Sequence, residues 1–202
     1  MNLRLDWFDI AILLVLALGL QRGRKHGMSE EVMLVIKWIT IIVVGAFTYN
    51  ILGDVIADST VFTRLTAYLM AYIGTALFIT VVFLGIKKMA HGKLIGSDVF
   101  GSGEYYLGMM AGVVRYACIL IFGLALLNAP LYTQSEIAAD LKFQNDVYGS
   151  DFFPKLYNVQ ADVFKNSFVG PHIQNELGFL LIKGTPAERK EIHKEREVGA
   201  LN

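Results

Sequence analysis

Among the ionisable side chains inside the long apolar runs of this 202-residue sequence, the first candidates for chemistry are Asp9, Lys37 and Arg115. A charged group within a membrane-spanning helix is costly, so such residues usually mark a site, a pathway or a fixed ion pair. Lys37 has the simplest explanation, because its long stem lets the ammonium reach the cytoplasmic headgroups.

Arg115 is harder to explain as a snorkelling side chain. At about 1.5 Å per helical residue, it stands on the order of 12 Å in from Leu107, near the start of its apolar run. We therefore expect it to face other helices and to pair with a carboxylate, a carbonyl group or water. The candidate carboxylates are Asp9, if the first helix is tilted, and Glu104, which lies roughly three turns away.

The sequence shows no recognisable catalytic or metal-binding pattern. The four histidines are scattered without metal-ligand spacing: His26, His91, His172 and His193. Gly101-Ser102-Gly103 lacks the lysine and the strand-to-helix context of a phosphate loop. The single cysteine, Cys118, excludes a disulfide within the chain. We predict a protein that is not an enzyme, with no catalytic residue, no metal and no cofactor.

Four apolar runs must position these side chains. Hydrophobic residues form 54% of the chain and charged residues only 18%, and the charges concentrate between and after the runs. A spanning helix needs about 20 mostly apolar residues. The runs are Leu5 to Leu20, Val32 to Leu52, Leu65 to Ile86 and Tyr105 to Leu127. We predict an all-α integral membrane bundle of about four transmembrane helices over residues 1–128, followed by a polar tail with amphipathic helices over 129–202.

The distribution of basic residues predicts the orientation. They cluster in the first and third connections between the runs: Arg22, Arg24, Lys25, Lys87, Lys88 and Lys93. The second connection carries Asp54 and Asp58 instead. The positive-inside rule therefore places the N-terminus and the tail outside the cytoplasm. Because the net charge is zero, we predict the lipid bilayer and not nucleic acid as the partner.

Glycines recur every fourth residue in two places: Gly19, Gly23 and Gly27 after the first run, and Gly108 and Gly112 in the fourth. Helices in lipid associate largely through close backbone approach, which small residues allow. The pattern is compatible with packing inside the bundle, which we favour, and with a seam between copies in a homo-oligomer.

The tail contains several helical signals. Thr133 and Glu136 have the spacing of a capping box. One helical face carries mostly aromatic side chains, which suit the membrane surface, the bundle or another membrane protein: Phe153, Tyr157, Ala161, Phe164 and Phe168. A charged helix to about Val198 is predicted by the N-terminal signals Thr185, Pro186 and Glu188.

Two stretches carry a resemblance to the CvpA, or colicin V production protein, family. The first is Asp6-Trp7-Phe8-Asp9-Ile10, an apolar run, then Arg22-Gly23, Gly27 and Glu31; the second is Glu104-Tyr105-Tyr106-Leu107-Gly108, Gly112 and Arg115. The resemblance spans about Leu5 to Leu127 and does not extend into the tail. It implies a bacterial inner-membrane protein linked to production or export of a peptide toxin and to envelope maintenance, and it supplies no catalytic residue. The matching positions are the candidate site residues: Asp9, Arg22, Gly23, Gly27, Glu104, Gly108, Gly112 and Arg115.

Two hypotheses follow. The first is a non-enzymatic membrane protein that supports colicin V production or secretion and envelope homeostasis, as a scaffold in a larger assembly. The second is a small channel or transporter in which Arg115 and Asp9 line the pathway. The two hypotheses require different surroundings for Arg115. A scaffold needs only an enclosed pair, whereas a channel or transporter needs a water-accessible cavity.

Overall fold

Three long helices dominate the computed structural model, which describes residues 6–59, 62–89, 101–148 and 155–186. They are α1 (Trp7–Ser59), α2 (Arg64–Met89) and α3 (Glu104–Asn128). Each is long and apolar enough to cross a membrane. The predicted all-α class is confirmed at this level.

The longest helix, α1, is interrupted at Gly27. The backbone there has φ 73° and ψ 172°, a conformation that glycine adopts readily because it has no Cβ. Before the break, later residues of α1 contact earlier residues of α3: Gly19 lies against Gly112, and Gly27 lies against Glu104. The first half of α1 (residues 7–26) is therefore antiparallel to α3.

After the break, the contacts run in the opposite direction. The Ser29 N–H is bonded to Glu104, and the Trp38 ring meets that of Phe122, 5.9 Å between centroids. The second half of α1 (residues 28–59) is thus parallel to α3, and α1 is a hairpin folded at Gly27. The sequence predicted an open connection between Leu20 and Val32. Its residues are instead helical almost throughout, because one glycine makes the turn.

Tyrosine rings of α2 fill glycine gaps in the second half of α1. Tyr72 lies over Gly45 and Tyr68 over Gly53, so these two segments run antiparallel. The Tyr72 ring also stacks on Phe122 of α3 at 5.2 Å between centroids. Packing thus joins α1, α2 and α3 in one cluster.

The chain after α3 forms short elements. They are β1 (Pro130–Leu131), α4 (Gln134–Tyr148), α5 (Leu156–Ala161), a π-helical turn (Asp162–Asn166), α6 (Val169–Glu176), a 3₁₀ turn (Gly178–Leu180) and β2 (Thr185–Pro186). Strands β1 and β2 pair in parallel. The predicted capping box is confirmed: Glu136 accepts the Thr133 N–H at 2.9 Å, and the Thr133 hydroxyl accepts the Glu136 N–H at 3.4 Å.

The segment 155–186 shares a hydrophobic core with the long helices. Its buried contributors are Val163, Phe164, Leu181 and Ile182, which belong to one cluster with Phe8, Ile12, Tyr49, Tyr72 and Leu124. The predicted aromatic face is not maintained: Phe164 is buried, whereas Phe168 is 43% exposed. The two side chains are separated because the π turn that contains Phe164 is followed by Ser167, whose backbone is extended, before α6 begins.

Two parts of the tail prediction involve residues outside the described ranges. Phe153 is one, and the charged helix predicted from Glu188 to Val198 is the other. Thr185 and Pro186, predicted to begin that helix, form strand β2.

Candidate functional site

A seam of glycines joins the first half of α1 to α3. A Cβ placed on Gly19 would lie 2.8 Å from the Gly112 carbonyl oxygen, and one on Gly108 would lie 2.6 Å from that of Gly23. These distances are too short for any side chain, so the backbones touch directly. The favoured interpretation of the glycine pattern, packing within the bundle, is confirmed.

Beside this seam, Arg115 of α3 forms an ion pair with Glu31 of α1. The Arg115 Nη1 lies 2.9 Å from Glu31 Oε2, and the two residues are 7% and 0% exposed. The contact is thus an ion pair between two enclosed side chains. The prediction that Arg115 pairs with Asp9 or Glu104 is wrong. Both of those carboxylates accept hydrogen bonds from backbone N–H groups instead.

His26 extends the ion pair towards the surface. Its Nδ1 lies 3.3 Å from Glu31 Oε1 and 3.0 Å from the Arg22 carbonyl oxygen, and its side chain is 45% exposed. On the other side, the Arg115 guanidinium lies 5.0 Å from the centroid of the Tyr116 ring, whose hydroxyl accepts a hydrogen bond from Arg22 at 3.1 Å. Glu31 and Arg115 thus belong to a layer of contacts that joins both halves of α1 to α3.

Glu104 is used at the hairpin turn. Its Oε1 accepts the Ser29 N–H at 2.7 Å. The first N–H groups of a helix have no partner within the helix, so they need an acceptor of this kind. The same oxygen would lie 2.7 Å from a Cβ on Gly27. Glu104 therefore caps the second half of α1, and the positive φ of Gly27 is what requires a glycine at the turn.

Asp9 lies near the opposite end of the first half of α1, and it binds the tail. Its carboxylate accepts three backbone N–H groups, from Asp6 at 3.1 Å, Phe168 at 3.0 Å and Val169 at 3.1 Å. Only 3% of the residue is exposed. Asp9 thus fixes the start of α6 against the start of α1.

Three further side chains hold the segment 155–186, and the sequence analysis did not select them. The Tyr49 hydroxyl accepts the Lys183 N–H at 3.1 Å, and the Asn128 amide donates to the Ile182 carbonyl oxygen at 2.9 Å. The Gln160 amide donates to the carbonyl oxygens of Leu127 and Pro130. These partners are backbone groups far along the chain, so no local pattern identifies them.

The profile of the colicin V production protein family matches residues 8–176. The chain belongs to this family. No curated protein and no solved structure matches it. The match continues through the tail as far as Glu176, which corrects the limit at Leu127 expected from the resemblance alone. Family membership and the long apolar helices make the chain a membrane protein involved in colicin V production.

In this colicin V production protein, seven of the eight candidate residues lie around the glycine seam and the hairpin turn: Arg22, Gly23, Gly27, Glu104, Gly108, Gly112 and Arg115. Asp9 lies apart from them, with the tail. Glu31 is the residue missing from that set. It was quoted within the first motif, one residue before the second apolar run, but it was not among the candidate partners of Arg115.

The charged side chains of this site mainly hold parts of the protein together. Across the described ranges, no group of three or more His, Cys, Asp and Glu side chains is placed to hold a metal ion. The buried charges of Glu31 and Asp9 already have protein partners. The cluster is therefore suited to holding helices at a fixed spacing.

Proposed function

We propose that this colicin V production protein is a non-enzymatic inner-membrane scaffold, which supports production or secretion of colicin V and envelope homeostasis within a larger membrane assembly. The observation that carries the proposal is the enclosed pair of Glu31 and Arg115. A scaffold needs its intramembrane charges to fix helices to one another, and this pair connects α1 to α3.

The alternative, a small channel or transporter, needs Arg115 and Asp9 to line one water-accessible path. Arg115 is instead buried against Glu31 and Tyr116. Asp9 is saturated by backbone N–H groups of a different region. The described geometry therefore favours the scaffold.

The proposed topology has four crossings, with the two halves of α1 crossing separately. The hairpin at Gly27 supports this count, because it brings Arg22 and Lys25 to the end where α3 begins. The tail docks at the other end, on Asp9 and Asn128. The N-terminus and the tail then share one side, outside the cytoplasm.

Cysteine labelling tests this topology. In a Cys118→Ala background, which removes the single native thiol, Lys88→Cys and Lys142→Cys should react with an impermeant maleimide from opposite sides of the inner membrane. Labelling of both from the same side would overturn the assignment.

A neutral replacement of the ion pair tests the scaffold against the pathway. The variants are Arg115→Gln, Glu31→Gln and the double variant, in cells that depend on this protein for colicin V secretion. Each single variant leaves one buried charge unpaired and should lose protein and secretion. The double variant should recover both, since a scaffold needs only a compatible pair.

Recovery of protein level without recovery of secretion in the double variant would contradict the scaffold role of the pair. A solute or ion flux in reconstituted vesicles that Arg115→Ala abolishes would establish the alternative. Crosslinking in intact cells tests the assembly, and recovery of monomer alone would count against it.

A further inference from the structure

Lys37 is a cation without an anion in the second half of α1. Its ammonium lies 5.4 Å from the centroid of the Trp38 ring. The charges that act on it are those of Arg115 and Lys87, both positive. In the described ranges no carboxylate forms an ion pair with it. A lysine inside a spanning helix is costly, and extending its ammonium towards the headgroups lowers that cost most where an anionic group is there to meet it.

The register between the second half of α1 and α2 explains why Lys87 lies within reach. Gly45 packs on Tyr72 and Gly53 on Tyr68, so residue 37 is level with about residue 80 of α2. Lys87 then lies about 10 Å further along the helix axis. Lys87 lies in the last turn of α2. Because lysine stems extend towards the headgroups, the Lys37 ammonium can reach along the helix axis towards Lys87.

Among the described residues at this end of the molecule, two carboxylates have other partners, and the exposed Glu30 forms no ion pair with either lysine. Glu31 is bound by Arg115 and His26, and Glu104 accepts the Ser29 N–H. The positive-inside rule accounts for basic residues at helix ends, such as Lys87. It does not require Lys37, which lies more than two turns into its helix.

Exposed apolar side chains flank this basic pair. They are Ile36 on α1 and Val82 and Ile86 on α2. A ligand that satisfies the whole surface must combine an anionic head with hydrocarbon chains. A phospholipid has this chemistry, whereas a free phosphate ion leaves the apolar flanks uncovered.

We propose that Lys37 and Lys87 bind the phosphate of an anionic phospholipid in the groove between the second half of α1 and α2. The assignment of this lipid to the cytoplasmic leaflet rests on the proposed topology, but the binding itself does not. The lipid headgroup supplies an anion that the described residues do not offer to Lys37, and the indole of Trp38 lies beside that ammonium.

Trp38 provides a reporter for the test. The chain has two tryptophans, so Trp7→Phe leaves Trp38 as the single fluorophore. The full-length variant is reconstituted in phosphatidylcholine vesicles that contain a small, equal fraction of brominated phosphatidylglycerol or brominated phosphatidylcholine. We expect stronger quenching of Trp38 by the anionic lipid. Lys37→Gln and Lys87→Gln should each lower its apparent association constant by about fivefold, since one lysine near an anionic surface contributes about 1 kcal/mol.

Arg64→Gln is the matched control, because Arg64 lies at the other end of α2 and is also exposed. It should leave the preference unchanged, as should added inorganic phosphate. Equal quenching by the two lipids, or a preference that survives in both lysine variants, would overturn the proposal. Loss of preference with Arg64→Gln or with free phosphate would also overturn it. Helix content by circular dichroism establishes that each variant is folded, and none of these outcomes depends on secretion.

Discussion

Two buried carboxylates of α1 are held differently: Glu31 lies just after the Gly27 turn, and Asp9 lies at the start of the helix, where the tail docks. At the turn end, Glu31 meets the side chains of Arg115 and His26. At the tail end, Asp9 meets backbone N–H groups of Asp6, Phe168 and Val169. One carboxylate is neutralised by a cation from another helix, and the other by the dipoles of the peptide backbone.

This difference assigns separate roles to the two ends. A side-chain ion pair exists only while both partners are present, so the turn end is sensitive to charge and joins whole helices. A backbone-bound carboxylate depends on where the tail lies, so the tail end controls docking. Substitutions at the turn should therefore unfold the bundle, whereas substitutions at the tail end should release one segment.

The largest effect is expected from breaking the ion pair. Glu31→Gln leaves the Arg115 guanidinium buried and unpaired, which should reduce the free energy of unfolding by about 3–5 kcal/mol. Unfolding in mixed micelles of increasing sodium dodecyl sulfate, followed by circular dichroism, measures it. The double variant Glu31→Gln/Arg115→Gln should restore most of the loss. A double variant as unstable as the single one would show that the charges do not act as a pair.

A smaller loss is expected at the glycine seam beside that pair. Gly23→Ala places a Cβ against the Gly108 carbonyl, and such overpacking costs about 1–3 kcal/mol. The same unfolding assay measures it. Gly74→Ala is the control, because a Cβ there has open space and should raise helix stability slightly. Equal effects at the two positions would mean that the seam is not tight.

At the tail end, Asp9→Asn should loosen docking without unfolding the helices. An amide has a single acceptor oxygen, so an N–H of Phe168 or Val169 loses its partner, at about 1–3 kcal/mol. Hydrogen exchange of these two amides should accelerate while α3 stays protected. Asp58→Asn, an exposed carboxylate on the same helix, should change neither. Global unfolding by Asp9→Asn would erase the distinction between the two ends.

The smallest effect involves Glu136, whose carboxylate accepts a backbone N–H, as that of Asp9 does. The Thr133 N–H and hydroxyl lower the pKa of Glu136 below its ordinary value of 4.5. The capping contribution is thus complete above about pH 4.5 and is lost as the pH falls through this lower pKa. The Thr133 amide resonance, followed by NMR, should titrate below pH 4.5. Glu136→Gln should abolish the titration, and a midpoint above 4.5 would contradict the cap.

Much of the architecture could be predicted from local patterns. The apolar runs predicted the long helices, the four-residue glycine spacing predicted close packing within the bundle, and Thr133 with Glu136 predicted the start of α4. Each of these signals depends on residues within a few helical turns of one another, and residues that are close in the sequence of a helix are also close in space. The partner of Arg115 could not be predicted in this way. Its choice between Asp9, Glu104 and Glu31 depends on how three helix segments meet around Gly27.

The sequence alone determined that the chain is helical and apolar, and it identified the charges that must be enclosed. Tertiary structure decided which groups enclose them. Arg115 pairs with Glu31 because a single left-handed glycine folds α1 back on itself, and Asp9 binds residues about 160 positions away because the tail returns to the start of α1. Burial makes each charge require a partner, but only the packing of distant segments brings that partner within bonding distance.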